Sequence, residues 1–214
     1  MLRVILVRHG ETIWNAQDRY QGTTDVPLRT RGRDQSRAVA ERLASEPVAV
    51  IYSSDLSRAW ETAQTISSQG GAAIHIDKRL REICFGRWEG LTYDQIQHEY
   101  PELLAAWEAD PLVARPPEGE SLAQVTTRVR HFLDDLLVRH DERTVVLVAH
   151  GGVFHVLLCT ALGVAPKARW QFRLHPASIS EFYIDHKSAV VTLLNDQHHL
   201  FSASDGTMSP SALL

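Results

Sequence analysis

Four short apolar runs rich in β-branched residues constrain the fold of this chain more than any other feature of its sequence. They cover residues 4–7, 48–52, 73–76 and 145–149. Runs without polar alternation are typical of strands that are buried on both faces of a parallel sheet. The stretches between the first two runs and around the last run have helical periodicity. The sequence therefore predicts an α/β fold with a mostly parallel sheet.

Helices are expected to cover both faces of this sheet. Three segments have the apolar spacing of such helices: 36–43, 56–66 and 122–138. Asp55 and Ser121 are the expected caps of the second and third helix. Two further runs predict strands that are joined by a turn and close one edge of the sheet: 178–184 and 190–194. The expected architecture is a three-layer α/β/α sandwich.

The length of 214 residues fits one α/β domain or two small ones, and we expect a single domain over residues 1–201 with a disordered tail over 202–214. The segment of about residues 86–119 breaks the strand and helix pattern with its four prolines and two tryptophans. It predicts short helices and loops inserted above the sheet, an arrangement that would suit a substrate lid. The alternative is that this segment is a packed insertion without a function of its own.

Charge and cysteine content exclude several classes of function. The 22 Lys and Arg nearly balance the 26 Asp and Glu, so there is no basic surplus for nucleic acid or an anionic membrane. Cys84 and Cys159 are too few for a disulfide framework or a thiolate metal site, and we expect both to be buried and reduced. The chain lacks a signal sequence and any run of about 18 apolar residues, so a cytoplasmic location is expected.

Histidine–glycine pairs follow two of the predicted strands. His9-Gly10, preceded by Arg8, comes after the first run, and His150-Gly151 comes after the last one. Ligands of open α/β sheets bind outside the carboxyl ends of the strands. If the two strands are neighbours, the imidazoles could flank one tetrahedral phosphate. One would attack phosphorus in line and the other would donate a hydrogen bond to an equatorial oxygen.

An arginine is expected at the same edge of the sheet. The block 53–59 follows the second run and places Arg58 in the first turn of the next helix. Arg8 and Arg58 could then clamp the phosphate, because the planar guanidinium matches phosphate oxygens and keeps its charge. Taken singly, either arginine is more typical of a surface or ion-pair position than of a phosphate site.

Three sequence blocks in order carry a family resemblance: Leu-Val-Arg-His-Gly-Glu-Thr at 6–12 with Trp14-Asn15, Ser-Ser-Asp-Leu-Ser-Arg-Ala at 53–59 with Glu61-Thr62, and His150-Gly151. Together they resemble the histidine phosphatase superfamily, in its phosphoglycerate mutase-like branch, over about residues 2–200. The resemblance implies a phosphoglycerate mutase-like fold. It also implies that His9 is a nucleophile that forms a phosphohistidine.

Other residues are implied around the phosphate by the same resemblance. The resemblance implies Arg8, Arg58 and His150 as further catalytic groups. As substrate-binding groups it implies Arg8, Asn15, Gln21, Gly22, Arg58, His150 and Gly151. Gln21 could alternatively be an ordinary polar residue of a loop.

The segment 80–90 resembles the family segment whose first glutamate is the proton donor, which implies that Glu82 is the general acid. The chemistry independently requires such a group, because an alkoxide leaving group needs a proton during phosphoryl transfer. Once ionised, the same carboxylate can activate the water that hydrolyses phosphohistidine. Glu89 is the competing carboxylate.

Two departures from the mutases of this superfamily favour hydrolysis. Where the mutases carry Glu-Arg-His-Tyr-Gly, this chain has Glu-Ile-Cys-Phe-Gly at 82–86, which removes a cation and a hydroxyl that hold a second acidic group. The mutases continue with Asn after His-Gly, whereas Gly152 follows here. The Gly-Glu-Ser block at 119–121 resembles that of α-ribazole phosphatases and metal-independent phosphoserine phosphatases.

The sequence thus predicts a metal-independent phosphatase that acts on a small phosphorylated metabolite. It needs no cofactor, and we expect neither nucleic acid nor membrane as a partner, while a homodimer is possible. Phosphoglycerate mutase is the alternative function. A module that only binds phosphorylated ligands is less favoured, since it would normally lack one of the catalytic groups. Phosphoserine, α-ribazole phosphate, phosphoglycerates and sugar phosphates all remain open as substrates.

Overall fold

The apolar runs form a six-stranded sheet in the computed structural model, which describes residues 1–201. Its strands are β1 (Leu2–Arg8), β2 (Val48–Ser53), β3 (Ile74–Ile76), β4 (Thr144–Ala149), β5 (Ile179–Ile184) and β6 (Ala189–Asp196). Their order is β3-β2-β4-β1-β5-β6, with β5 antiparallel to β1 and to β6 and the other pairs parallel. The predicted mostly parallel sheet with a strand pair at one edge is confirmed. The predicted disorder of residues 202–214 lies outside the described residues.

Helices cover both faces of the sheet. They are α1 (Ile13–Ala16), α2 (Thr30–Leu43), α3 (Ser57–Gly70), α4 (Tyr93–Glu99), α5 (Pro101–Ala109), α6 (Leu122–Arg139) and α7 (Gly151–Leu162). In β1, Ile5 belongs to the core beneath α2 and α3, whereas its neighbour Leu6 belongs to the core beneath α6 and α7. The three-layer α/β/α architecture is therefore confirmed. No helix within residues 1–201 is long and apolar enough to cross a membrane.

The register of β1 on β4 determines where the site lies. Arg8 is opposite Ala149 in the parallel ladder, and the His9 N–H donates to the Ala149 carbonyl at 3.0 Å. His9 and His150 therefore leave the sheet at the same level of two neighbouring strands. Because β2 pairs with the other side of β4, the segment that carries Arg58 leaves the same edge.

The start of α2 differs from the prediction. The helix begins at Thr30 rather than at residue 36, and its first turn packs through backbone instead of an apolar side chain. A Cβ on Gly32 would collide with the carbonyl oxygen of Glu11, so only glycine allows this approach. In α6, by contrast, Ser121 is the N-cap as predicted and accepts from the Gln124 N–H.

The start of α3 is close to the prediction, but its cap is not. The helix begins at Ser57, which places Arg58 in its first turn. No side chain within residues 1–201 caps this helix, and Asp55 instead accepts two hydrogen bonds of 2.6 Å from Arg81. The ion pair uses both oxygens of the Asp55 carboxylate, so the expectation that Asp55 caps α3 is wrong.

The segment 86–119 contains a 3-10 helix at Gly86–Trp88, then α4 and α5. It has a small core of its own, formed by the buried residues Trp88, Ile96, Leu104 and Trp107. The predicted short helices and loops are therefore present. The role of this segment as a lid stays a prediction, as does the assignment of residues 1–201 to a single domain.

The two cysteines are free, but only one of them is buried. Cys159 is enclosed within α7, whereas Cys84 is half-buried. The Cys84 thiol lies 3.7 Å from both the Thr23 hydroxyl and the Glu118 carbonyl, in the loops above the sheet. The expectation that Cys84 is buried is therefore wrong, because the segment after Glu82 leaves the core.

Candidate active site

His9 follows β1 directly and is 2% exposed. Its Nδ1 lies 2.7 Å from the carbonyl oxygen of Gly10. Because a carbonyl only accepts, Nδ1 carries the proton and Nε2 is left as the unprotonated nitrogen of a neutral imidazole. Burial, followed by the charges of Arg58 and Arg8, holds the pKa of His9 well below its usual range. His9 is therefore neutral and has its nucleophilic nitrogen free at neutral pH.

His150 lies beside His9 in the opposite tautomer. It is fully buried at the N-cap of α7, and its ring centroid is 5.0 Å from that of His9. Its Nδ1 accepts a hydrogen bond of 3.2 Å from Arg58 Nε, so the proton of the neutral ring lies on Nε2. Burial, followed by the charges of Arg58, His9 and Arg8, keeps the pKa of His150 well below its usual range. One ring thus offers an acceptor and its neighbour offers a donor.

Arg58 is fully buried and is held by the loop that contains Gly22. Its Nη2 donates to the Gly22 carbonyl at 2.7 Å and its Nη1 donates to the Thr24 carbonyl at 2.9 Å. Burial lowers the pKa of Arg58 to about 10, so the side chain still carries its charge at neutral pH. Gly22 has a φ of +56°, and a Cβ there would collide with Glu89. Glycine is required at this point for both reasons.

Arg8 is anchored at one end and unpaired at the other. Its Nη1 donates to the Leu174 carbonyl at 2.5 Å, whereas its Nε is buried and has no partner within residues 1–201. Burial lowers the pKa of Arg8. A Cβ on Gly151 would lie 3.2 Å from the Arg8 guanidinium carbon, so glycine leaves room for this side chain. His150 Nε2 is likewise buried and unpaired among the described residues.

These two unpaired N–H groups identify an anion site. Buried donors are nearly always paired in folded proteins, so both of these indicate an acceptor that residues 1–201 do not supply, either water or a bound anion. Arg8 and Arg58 add two positive charges, which a phosphate would offset. The structure therefore brings together four of the predicted residues, namely Arg8, His9, Arg58 and His150.

Glu82 is placed at the start of α7, next to the histidines. Its Oε2 accepts from the Gly152 N–H at 3.0 Å, and its Oε1 accepts from the Val153 N–H at 3.0 Å and from the Ile83 N–H at 2.8 Å. Of the carboxylates near Arg58, Glu82 exerts the strongest charge effect on its guanidinium. The general-acid candidate thus joins the same pocket.

Gly152 has a function that sequence reasoning missed. A Cβ on Gly152 would lie 2.5 Å from Glu82 Oε1, so a side chain at this position would displace the carboxylate. The signal for this role in the sequence was the second consecutive glycine after His150, which was interpreted only as a departure from the mutases.

Glu89, the competing carboxylate, accepts hydrogen bonds from backbone amides and from the hydroxyls of Thr23 and Thr24. Its Oε1 accepts from the Thr23 N–H at 2.9 Å and from the Phe85 N–H at 3.1 Å, and its Oε2 accepts from the Thr24 N–H at 2.8 Å. Gly22 and Thr24, in this same loop, bind Arg58 through their carbonyls. Glu89 therefore supports the anion site from outside it.

Asn15 and Gln21 meet at Thr12, a buried residue that sequence reasoning did not assign. The Asn15 Oδ1 accepts from the Thr12 N–H at 3.0 Å, in a capping box at the start of α1. The Thr12 hydroxyl lies 2.9 Å from Gln21 Oε1. Both carboxamide oxygens thus face Thr12, which leaves the amide nitrogens to donate elsewhere. Gln21 immediately precedes Gly22, whose carbonyl binds Arg58.

No group of three His, Cys, Asp or Glu side chains that could hold a metal ion occurs within the described range, residues 1–201. Among these residues, the site contains the guanidinium groups of Arg8 and Arg58 and the carboxyl group of Glu82.

Known proteins are similar to this chain in both sequence and fold. The model of the histidine phosphatase superfamily (branch 1) matches residues 4–197. Phosphoserine phosphatase 1 of Hydrogenobacter thermophilus is 36% identical over 200 residues, which cover 94% of this chain and 95% of that protein. Among solved structures, Bacillus stearothermophilus YhfR superposes with a TM-score of 0.86 at 31% identity and covers 94% of this chain and 100% of its own.

A second solved structure carries a bound phosphorylated acid. Phosphoserine phosphatase from Entamoeba histolytica, in complex with 3-phosphoglyceric acid, superposes with a TM-score of 0.82 at 32% identity. The alignment covers 94% of this chain and 100% of that one. The chain described here therefore belongs to branch 1 of the histidine phosphatase superfamily and is a phosphoric monoester hydrolase that acts on small phosphorylated metabolites.

Proposed function

We propose that the enzyme hydrolyses its phosphomonoester in two steps, through a phosphohistidine on His9. The observation that carries this proposal is the pair of opposite tautomers. Gly10 fixes the free electron pair of His9 on Nε2, and Arg58 fixes the proton of His150 on Nε2. A phosphate between the rings would meet a nucleophile on one side and a hydrogen-bond donor on the other.

In the first step, His9 Nε2 attacks phosphorus, and the bond from phosphorus to the ester oxygen breaks. Arg8, Arg58 and His150 hold the non-bridging oxygens, which is the main electrostatic contribution to phosphoryl transfer. Glu82, in its protonated form, gives its proton to the departing oxygen, so the product leaves as an alcohol rather than as an alkoxide. The enzyme then holds a phosphoryl group on His9 and an ionised Glu82.

In the second step, the Glu82 carboxylate takes a proton from a water molecule as that water attacks phosphorus. The bond between phosphorus and His9 Nε2 breaks, inorganic phosphate leaves, and Glu82 is protonated again. The two guanidinium groups offset the phosphate charge and the neutral imidazole of His150 donates a hydrogen bond, which supports turnover without a metal ion. The segment 86–119 fits the role of a lid over the leaving group, since it follows Glu82 closely in the chain.

The first experiment measures phosphate release from a panel of phosphomonoesters in the presence of EDTA. A parallel coupled assay follows interconversion of 2- and 3-phosphoglycerate. Because the relatives include proteins named as phosphoserine phosphatases, phosphoserine belongs in the panel. Release without interconversion supports the proposal. Interconversion would favour the mutase alternative, silence in both assays would favour a binding module, and loss of release with EDTA would contradict metal-independence.

A further inference from the structure

Asn195, near the end of the edge strand β6, holds the peptide group that anchors Arg8. The Asn195 Oδ1 accepts from the His175 N–H at 2.8 Å. The same peptide group carries the Leu174 carbonyl, which accepts from Arg8 Nη1 at 2.5 Å. The carbonyl and the N–H of a trans peptide group point in opposite directions within one rigid plane. Asn195 and Arg8 therefore hold this peptide group from its two sides.

Several contacts fix the orientation of the Asn195 side chain. The backbone N–H of His175 can only donate, so the carboxamide atom that faces it is the oxygen. The carboxamide nitrogen then donates to His175 Nδ1 at 2.8 Å. The Asn195 N–H donates to the hydroxyl oxygen of Ser180, a buried residue of β5, at 2.9 Å. Asn195 has a φ of +56°, which asparagine adopts more readily than most residues.

The strand directions at this edge of the sheet bring Asn195 to the phosphate site. β5 is antiparallel to β1, and β6 is antiparallel to β5, so β6 ends at the same edge as β1. Ile179, at the start of β5, is opposite Val7 on one side and Asp196 on the other. The last residues of β6 therefore reach the loop that precedes β5, and this loop in turn reaches Arg8.

The direction of the Arg8 guanidinium depends on this one anchor. Among residues 1–201, the Leu174 carbonyl is its one hydrogen-bond acceptor. The guanidinium of Arg58, by contrast, donates to the carbonyls of Gly22 and Thr24 and to an imidazole nitrogen. A shift of the Leu174 carbonyl should therefore move Arg8 and leave Arg58 in place.

A separate contact holds the backbone of Arg8 and His9. The Ala177 N–H lies 3.0 Å from the carbonyl oxygens of both residues, and the Ala177 carbonyl accepts from His199 Nε2 at 2.9 Å. These bonds do not involve the Asn195 side chain. Loss of that side chain should therefore misdirect the Arg8 guanidinium without displacing the nucleophile.

We propose that Asn195 is a positioning residue, which sets the direction of the Arg8 guanidinium through the peptide group between Leu174 and His175. The inference rests on the proposed function, in which Arg8 holds a non-bridging oxygen of the phosphate. Without the Asn195 oxygen, the His175 N–H must turn toward water to find an acceptor. The Leu174 carbonyl turns with it, since both belong to one plane. The guanidinium then no longer meets the charge that it stabilises in the transition state.

Asn195→Gly tests the proposal, because glycine tolerates the positive φ and removes the side chain. We expect kcat/KM to fall roughly 10-fold, and equally for alkyl phosphates and p-nitrophenyl phosphate, since the acid catalyst is unaffected. Inorganic phosphate should also inhibit more weakly. Asn195→Asp keeps an oxygen toward the His175 N–H and should retain most of the activity.

Thr192→Gly is the matched control for the stability of the strand. It places glycine in the same edge strand, at an exposed residue whose hydroxyl contacts Glu181 of β5 rather than the loop before that strand. We expect Thr192→Gly to lower the thermal unfolding temperature and to leave kcat/KM unchanged. A loss of activity in Thr192→Gly equal to that in Asn195→Gly would overturn the proposal.

A double-mutant cycle with Arg8→Ala separates positioning of Arg8 from a general loss of structure. Arg8→Ala should itself be strongly impaired, and Asn195→Gly should then lower kcat/KM by less than about 2-fold in that background. An equal loss in both backgrounds, or full activity of Asn195→Gly alone, would overturn the proposal. Wild-type kcat/KM in Arg8→Ala would instead refute the phosphate-binding role of Arg8 in the proposed function, and the inference with it. If thermal unfolding shows that Asn195→Gly does not fold, Asn195→Ala takes its place in the cycle and the same results decide.

Discussion

Replacement of Gly152 by alanine should displace the Glu82 carboxylate and impair acid catalysis. The new Cβ would lie 2.5 Å from Glu82 Oε1, whereas carbon and oxygen atoms in ordinary contact are separated by roughly 3.5 Å, so the carboxylate must move by about 1 Å. This movement breaks the 3.0 Å hydrogen bonds that Glu82 accepts from the amides of residues 152 and 153. The general acid then no longer lies where the leaving oxygen needs it.

The cost in stability has several contributions. Each charge-assisted bond contributes about 1.5–3 kcal/mol, but the displaced carboxylate regains water as a partner. Alanine within α7 is also favoured over glycine by about 0.5–1 kcal/mol. The new Cβ would also lie 2.9 Å from Cδ1 of the buried Ile83, and such overpacking costs about 1–3 kcal/mol. We expect Gly152→Ala to lose on the order of 2–4 kcal/mol of unfolding free energy, measured by urea denaturation. Gly70→Ala is the matched control, because a Cβ at that helical glycine meets no atom of residues 1–201 within 4 Å.

The kinetic effect should depend on the leaving group. An acid catalyst contributes about 10²- to 10⁴-fold, so kcat/KM for an alkyl phosphate should fall about 10²-fold in Gly152→Ala. The value for p-nitrophenyl phosphate, whose leaving group needs no proton, should change only a few-fold. Equal losses on both esters, or full activity on the alkyl phosphate, would refute the placement of Glu82 as the acid.

Two other changes test the positioning of the site and its pH dependence. Glu89→Ala removes the carboxylate that supports the loop around Arg58, so kcat/KM should fall about equally for esters with good and poor leaving groups. Glu82→Gln should instead lower kcat/KM mainly for esters with poor leaving groups. A larger loss for poor leaving groups in Glu89→Ala would contradict the separate roles of the two carboxylates. Burial, followed by the charge of Arg8, lowers the pKa of His155 on α7 to about 4, against 6.5 when unfolded. The unfolded chain therefore takes up a proton first, so the stabilising contribution of neutral His155 is complete above pH 6.5 and is lost as the pH falls toward 4. Urea denaturation should show that His155→Leu reduces the drop in unfolding free energy between pH 8 and pH 5 by about 2 kcal/mol, and an unchanged drop would refute the assignment.

The sequence predicts the layers of the fold well, because buried strands and amphipathic helices leave direct apolar patterns. From the sequence, the proximity of His9 to His150 could be predicted only on the condition that the strands before them are neighbours. It depends on β4 pairing between β1 and β2, a long-range arrangement that no local pattern specifies. The start of α2 was missed for a related reason, since Gly32 packs there through a backbone contact rather than an apolar side chain.

The residue types of the site were predictable, but their bonding was not. Arg8, Arg58 and Glu82 stand in recognisable blocks, whereas the tautomers of the histidines depend on the Gly10 carbonyl and on Arg58 Nε, which only three-dimensional geometry reveals. Arg169, in the 3-10 helix Pro166–Gln171 that follows α7, is only 4% exposed. Its burial carried no signal in the sequence, where a lone arginine in a polar stretch is typical of the protein surface. Its burial between two tryptophans became evident only from the fold.

The most direct test of the mechanism is to trap the enzyme during turnover. A rapid quench with base, followed by mass spectrometry of peptides, should reveal one phosphoryl group on His9 that disappears when substrate is exhausted. His150→Ala should carry the same modification at a lower rate of formation, whereas His9→Ala should carry none. A phosphoryl group on another residue, or turnover without any modified His9, would contradict the proposed two-step reaction.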